Sequence, residues 1–231
     1  MTLEHREAVL RNLAVIRAGI ARACERAGRD PAAVRLVAAC KGVRVEAVRW
    51  VHEAGVGDFG ENYVQELRDK RAAAPDATWH FIGTLQSHTA HRVAELADVV
   101  ETLTPGRAVA RLARRAAERG KVLPALIEVD LTEERTGVGP ADCAAFADEV
   151  AEMEGLELKG LMTLPPMPTV PEDARPYFRR LRDLLDAISE RHPGAVELSM
   201  GMSMDYEVAV EEGATIVRIG TALFGERMPA D

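Results

Sequence analysis

A chain of 231 residues with 47% apolar and only 4% aromatic content suits one domain, or at most two small ones, around a core of Ala, Val and Leu. Its formal charge of −8 comes without a Lys/Arg block or aromatic platform, which argues against a nucleic-acid surface. Cys24, Cys40 and Cys143 are few and far apart, the first 28 residues lack a signal-peptide apolar stretch, and no later run reaches membrane-spanning length, so a soluble cytoplasmic protein without membrane partners is expected.

Residues 3–28 read as an amphipathic helix, with Val9, Leu10, Leu13, Ile16 and Ile20 on one face and Gly28 as its stop. Strands and helices then alternate. Strands are predicted at 35–40, 56–60, 78–83, 99–103, 123–131, 158–164, 196–199 and 215–219. Helices are predicted between them at 45–54, 62–73, 89–96, 107–119, 141–153, 172–191 and 206–212. Gly55, Gly120, Gly155 and Gly213 end four of these helices as caps. Unbroken alternation over eight units implies a parallel sheet and an α/β class. It favours a single closed (β/α)₈ TIM barrel over 1–231, with the helix of 1–28 packed on it, ahead of a doubly wound open sheet. Nothing marks a domain boundary; the proline-rich 165–168 is a loop after the sixth strand.

In such a barrel the chemistry sits at the C-terminal strand ends, and phosphate is often held after strands seven and eight. LSMGMSMDYEVAVEEGATIVRIGTALFGER, from Leu198 to Arg227, supplies small-residue turns at both places. The turns at Ser199–Ser203 and Gly220–Thr221 offer hydroxyls and backbone N–H groups, which suit a phosphate dianion. Asp205 is a candidate N-cap for the helix that follows. Arg218 stands in mid-strand on the face of Ile216 and Gly220, where a guanidinium needs either an internal carboxylate or a ligand.

Of the 29 basic residues only Lys41, Lys70, Lys121 and Lys159 are lysines. Where charge alone is wanted the chain uses Arg, so an oddly placed Lys invites chemistry. Lys70, Lys121 and Lys159 fall in ordinary solvent-facing places. Lys41 directly follows the first strand, at the rim of the barrel mouth. A partly desolvated amine there can attack an aldehyde. Amine, phosphate cup and a partner for a ring nitrogen together describe a pyridoxal 5′-phosphate (PLP) site.

Other motifs fail on context. GVGDFG, from Gly55 to Gly60, fits GxGxxG but follows a helix instead of a strand. GMSMD, from Gly201 to Asp205, lacks the closing Gly of a nucleophile elbow and has no suitable His after it. His88 and His91 have no nearby Cys or paired carboxylates, so a metal site is unsupported and surface or loop positions are expected.

Six ordered motifs, LVAACK, FGENYVQEL, WHFIGTLQSH, GLMTL, LSMGMS and VRIGTALFGER, run from Leu36 to Arg227 and resemble the PLP homeostasis protein family. That resemblance implies a single barrel similar to the alanine racemase barrel domain, without the racemase's second domain. It implies PLP carried as a Schiff base and buffered in the cell, with apo-PLP enzymes as candidate acceptors and no robust turnover. On the matching positions, Lys41 is the Schiff-base lysine and Arg218 the partner of the pyridine nitrogen. Ser203, Gly220 and Thr221 bind the phosphate with Ser199 nearby, and Asn62 lies beside the ring. CKGVR replaces the family's usual SKTKP at Cys40–Arg44, so the loop after the lysine is expected to differ in shape. QSHT at Gln86–Thr89 replaces QSNK, and Met204 stands where an acid is common; these changes bear on accessory contacts or a second PLP site. A monomer is expected. Because the chain ends soon after the eighth strand, an open mouth is expected too. The alternatives are a fold-type III PLP enzyme, a racemase or decarboxylase, and a phosphate-binding barrel that takes no PLP.

Overall fold

The computed structural model describes residues 2–132 and 136–225. Each strand is too short to bury its apolar residues alone, and the sheet solves this by closing on itself. Strands β1 (Arg35–Ala39), β2 (Asp58–Glu61), β3 (Thr78–Phe81) and β4 (Val99–Leu103) pair in chain order. They continue into β5 (Leu123–Val129), β6 (Leu156–Thr163), β7 (Glu197–Ser199) and β8 (Ile216–Ile219). β8 returns parallel to β1, with Val37 opposite Arg218 and Ala38 opposite Ile219. The result is the expected closed barrel, which leaves no sheet edge.

Helices α2 (Val45–Glu53), α3 (Val64–Arg71), α4 (Ala90–Leu96), α5 (Arg107–Ala117), α6 (Cys143–Ala151), α7 (Arg175–Ser189) and α8 (Tyr206–Glu211) follow the first seven strands in turn. Alternation along each strand divides the side chains. Val37, Val99, Leu126, Met162 and Ile216 form a small interior cluster. Phe59, Trp79, Phe81, Leu161, Val217 and Ile219 join the larger core under the helices.

The leading helix, α1 (Leu3–Ala27), is capped by Thr2 and by a left-handed Gly28. It packs across α8, where a Cβ on Gly19 would lie 2.2 Å from the Tyr206 hydroxyl. Arg29 secures this end by donating to Val210 O and Ala214 O, and Arg26 pairs with Glu207 and Glu211. Among the described residues, no helix is long and apolar enough to cross a membrane.

Three local differences from the sequence reading have plain causes. Thr221–Phe224 is a short helix, α9, and not a bare turn, since Leu223 and Phe224 N–H both reach Gly220 O. Asp205 stands at the N-cap of α8 as expected, but its side chain makes no capping bond; its Oδ1 turns back to accept the Met202 N–H at 2.6 Å. β6 begins two residues earlier than expected and carries a register shift opposite Ala125 and Leu126. There Gly160, at φ 155°, passes so close to β7 that a Cβ would sit 1.9 Å from Glu197 O.

Candidate functional site

The mouth is built by the residues just beyond β1, β2, β7 and β8. Cys40 N–H donates to Gly60 O at 2.9 Å and extends the ladder one step past β1. Lys41 then leaves the sheet, half-buried, with its Nζ 5.1 Å from the Tyr63 ring centroid. Gly42 turns the chain at φ 69°, a conformation that strains a β-branched residue. Asn62 lies half-buried on the neighbouring strand end, between Glu61 and Tyr63.

β8 flanks β1 on the other side. A Cβ on Gly220 would lie 3.1 Å from Ala39 O, so the second turn runs directly beside the approach to Lys41. Ser203 Oγ accepts the Ala222 N–H at 3.0 Å, which ties the turn after β7 to the first turn of α9. Gly201 O accepts the Arg218 N–H at 2.9 Å. Ser203 and Gly220 are half-buried and Thr221 is exposed, as a cup open to solvent requires.

Arg218 points inward beneath this cup and is 4% exposed. Its guanidinium donates to Ser199 Oγ and, at 2.9 Å, to Thr163 O, and it lies 3.7 Å from Glu101 Oε2. The internal carboxylate considered for Arg218 is therefore present. Ser199 donates to the same Glu101 oxygen at 2.5 Å, so it stands under the cup with its hydroxyl already engaged. Glu101 Oε1 lies 2.6 Å from His80 Nδ1, and His80 Nε2 lies 3.1 Å from Asp58 Oδ1.

Burial opposes every charge in this chain, and its partners decide the outcome. For His80, burial is overcome by its bonds to Asp58 and Glu101, and the imidazole is pushed up to about 9. For Glu101, burial is overcome by His80, Arg218 and Ser199, which hold it below the usual carboxylate range. Arg218 is lowered by burial, against the pull of Glu101, Glu128 and Asp205.

Lys70 corrects the sequence reading, which placed it in solvent. It is 4% exposed, and its ammonium donates to Cys40 O, Glu61 Oε1 and Glu66 Oε2. Burial disfavours that charge, but Glu61 and Glu66 outweigh it and hold Lys70 above the ordinary lysine value. A protonated amine with every N–H bonded is no nucleophile. Lys41, in contrast, presents its amine at the mouth.

The alanine racemase N-terminal domain model matches residues 11–228. A pyridoxal phosphate homeostasis protein of Aquifex aeolicus is 42% identical over 213 residues, covering 90% of this chain and 93% of its own length. This chain belongs to the pyridoxal phosphate homeostasis protein family. The solved structure of PipY from Synechococcus elongatus PCC7942, described as having PLP bound, is 33% identical with a TM-score of 0.83. It covers 94% of this chain and 100% of that one. Alanine racemase of Clostridium difficile 630 shares the fold, with 15% identity, a TM-score of 0.71, and 99% of this chain against 58% of that one.

Within this member of the family, Lys41, Asn62, Ser203, Gly220 and Thr221 gather in one sector of the mouth, with Arg218 and Ser199 below. Sequence reasoning passed over Glu61, Lys70, His80 and Glu101. The signal for Glu101 was available, because a charge in the middle of VVETL needs a buried partner as much as Arg218 does.

Proposed function

We infer that this chain binds PLP at the barrel mouth and carries it, in the cytoplasm, as a reserve for apo-PLP enzymes. The donor set supports this reading. It combines a half-buried amine after β1, hydroxyls and first-turn N–H groups beside it after β7 and β8, and a buried guanidinium beneath. These residues fit a phosphorylated pyridine aldehyde: a dianion suits the Ser203 and Thr221 hydroxyls, and an aldehyde suits Lys41. When bound, PLP supplies the aldehyde for covalent capture and the ring that withdraws electrons. Lys41 would hold the aldehyde carbon and Ser203, Gly220 and Thr221 the phosphate, with Asn62 beside the ring. Arg218 would face the pyridine nitrogen and can only donate to it.

The single observation that carries the reading is the adjacency of Lys41 to the Gly220–Thr221 cup, imposed by the pairing of β1 with β8. The test is the visible spectrum of the purified protein before and after adding PLP. A new absorption band that Lys41→Arg lacks is the expected result. A protein that stays colourless would favour a phosphate-binding barrel that takes no PLP.

A further inference from the structure

One ion cluster, buried at Glu61 and Lys70 and partly exposed at Glu66, holds both peptide units that flank Lys41. Lys70 Nζ donates to Cys40 O at 2.6 Å, to Glu61 Oε1 at 2.6 Å and to Glu66 Oε2 at 2.7 Å. The same Glu66 oxygen accepts the Gly42 N–H at 2.7 Å. The second Glu61 oxygen accepts the Asn62 N–H at 3.1 Å. The carbonyl before Lys41, the N–H after it and the N–H of Asn62 thus converge on three side chains. The Lys41 side chain makes no hydrogen bond to these three groups, although, against burial, its charge joins Lys70 and the Gly42 N–H in holding Glu66 below the usual carboxylate range.

Such a cluster is poorly explained by stability alone. Glu61 is 0% and Lys70 5% exposed, and a buried ion pair is commonly no better than apolar residues of the same volume. What it supplies is geometry. Gly42 gives the turn its left-handed form, and glycine is also the residue that loses most freedom when a turn is fixed. A turn with glycine next to its reactive lysine needs an external clamp. The clamp comes from α3, whose Glu66 and Lys70 lie four residues apart on one helix face.

We propose that the Glu61–Lys70–Glu66 cluster positions Lys41, fixing the peptide units on either side so that the amine stands at the mouth, beside Tyr63, ready to meet an aldehyde. This rests on the assignment of Lys41 as the capturing amine. In that capture the neutral amine nitrogen bonds to the aldehyde carbon, and its two protons leave with the aldehyde oxygen as water. The cluster touches none of these atoms. Its contribution is orientation, so it acts on capture and leaves the phosphate cup alone.

The test compares two probes on the full chain. PLP reports capture together with phosphate and ring binding; pyridoxine 5′-phosphate, with an alcohol in place of the aldehyde, reports phosphate and ring binding without capture. Glu66→Ala removes the acceptor for Gly42, and the loss of a hydrogen bond to a charged group predicts PLP weakened by about tenfold or more. Pyridoxine phosphate should stay within about twofold, a difference of under 0.5 kcal/mol. Glu66→Gln keeps an acceptor oxygen and should recover most of the PLP affinity. Glu61→Gln combined with Lys70→Met, which replaces the buried charges by neutral groups, should show the same selective loss. Equal weakening of both probes, or Glu66→Gln no better than Glu66→Ala, overturns the proposal. Borohydride reduction of PLP-loaded wild type separates the two levels. A label on Lys41 with no selective loss in the variants removes only the positioning role. A label elsewhere removes the capture assignment and the positioning role with it.

Discussion

Glu101 and Arg218 face each other inside the barrel at 3.7 Å, from β4 and β8, with the Ser199 hydroxyl bonded to both. Both are buried, so neither charge is screened by water. Ser199 donates to Glu101 and accepts from Arg218, which fixes its proton and the orientation of the guanidinium together. His80 holds the other Glu101 oxygen, and Asp58 holds His80. The guanidinium under the cup is therefore set by a chain of bonds running across the barrel interior. Its direction does not depend on a ligand arriving.

The first prediction concerns pH. His80 is pushed up to about 9 because its bonds to Asp58 and Glu101 outweigh burial. A raised histidine stabilises the fold when protonated. Its contribution is fully present below the unfolded value of about 6.5 and is lost as pH rises through about 9. The amount is on the order of 3 kcal/mol, or roughly 6–12 °C in Tm for a chain of this size. Glu101 has the opposite sign: its contribution is present above the ordinary carboxylate value and lost as pH falls through its lowered one. Thermal melts of wild type and His80→Gln should differ strongly near pH 6 and converge near pH 10. A gap of constant size across that range would show that the imidazolium is not the stabilising species.

Much of this was legible in the chain, for identifiable reasons. The barrel was readable because strands such as RLVAAC alternate with helices closed by Gly28, Gly55 and Gly155. Arg218 was readable because a cation in VRIG needs either an internal carboxylate or a ligand, and Glu101 supplies the first. Lys70 was not, because VQELRDKR looks solvated all round. Its burial depends on Glu61, which lies on another element and whose inward direction only the closed sheet fixes. The same holds for Glu101: sequence can mark it as odd, but its pairing with Arg218 is set by which strands meet across the interior. The helix at Thr221–Phe224 was hidden by its length, a single turn.

The second prediction tests the capturing residue. Borohydride reduction of PLP-loaded protein followed by peptide mapping should place the pyridoxyl group on Lys41. Lys70 should stay unlabelled, since its three N–H bonds are taken by Cys40, Glu61 and Glu66. Lys41→Arg should fold and keep the charge beside Tyr63 yet show no absorption band, because a guanidinium does not condense with the aldehyde. A label on Lys70, Lys121 or Lys159 would refute the assignment.

The third prediction separates the phosphate cup from the rest of the site. Thr221 is exposed at the start of α9, next to the N–H that Ser203 binds. Losing one hydroxyl bonded to a dianion should cost about 1.5–3 kcal/mol, or roughly one to two decades of affinity. Thr221→Ala should therefore weaken PLP far more than pyridoxal, which has no phosphate. Equal losses for the two ligands would mean that the phosphate lies elsewhere.

The last prediction is that the protein carries PLP without turning over amino acids efficiently, and Arg218 gives the reason. A bound pyridine ring draws electrons most strongly when its nitrogen is protonated and faces a carboxylate. Arg218 is held in place by Ser199, Thr163 and Glu101, and a guanidinium has only donors to offer. Facing that nitrogen, as proposed, it would leave the nitrogen unprotonated and the ring a weak electron sink. A racemase with such a ring depends on a positioned acid/base pair for its proton transfers. At this mouth the lysine best placed for that task is Lys41, the residue already assigned to the aldehyde; Lys70 is buried and fully bonded. PLP-loaded wild type should thus reactivate an apo-PLP enzyme in a mixing assay, whereas Lys41→Ala treated with PLP under the same conditions should not. Alanine and serine should racemise no faster than background. Racemisation with a turnover of about 1 per second or more, within the ordinary enzyme range, would overturn the carrier reading in favour of a fold-type III enzyme.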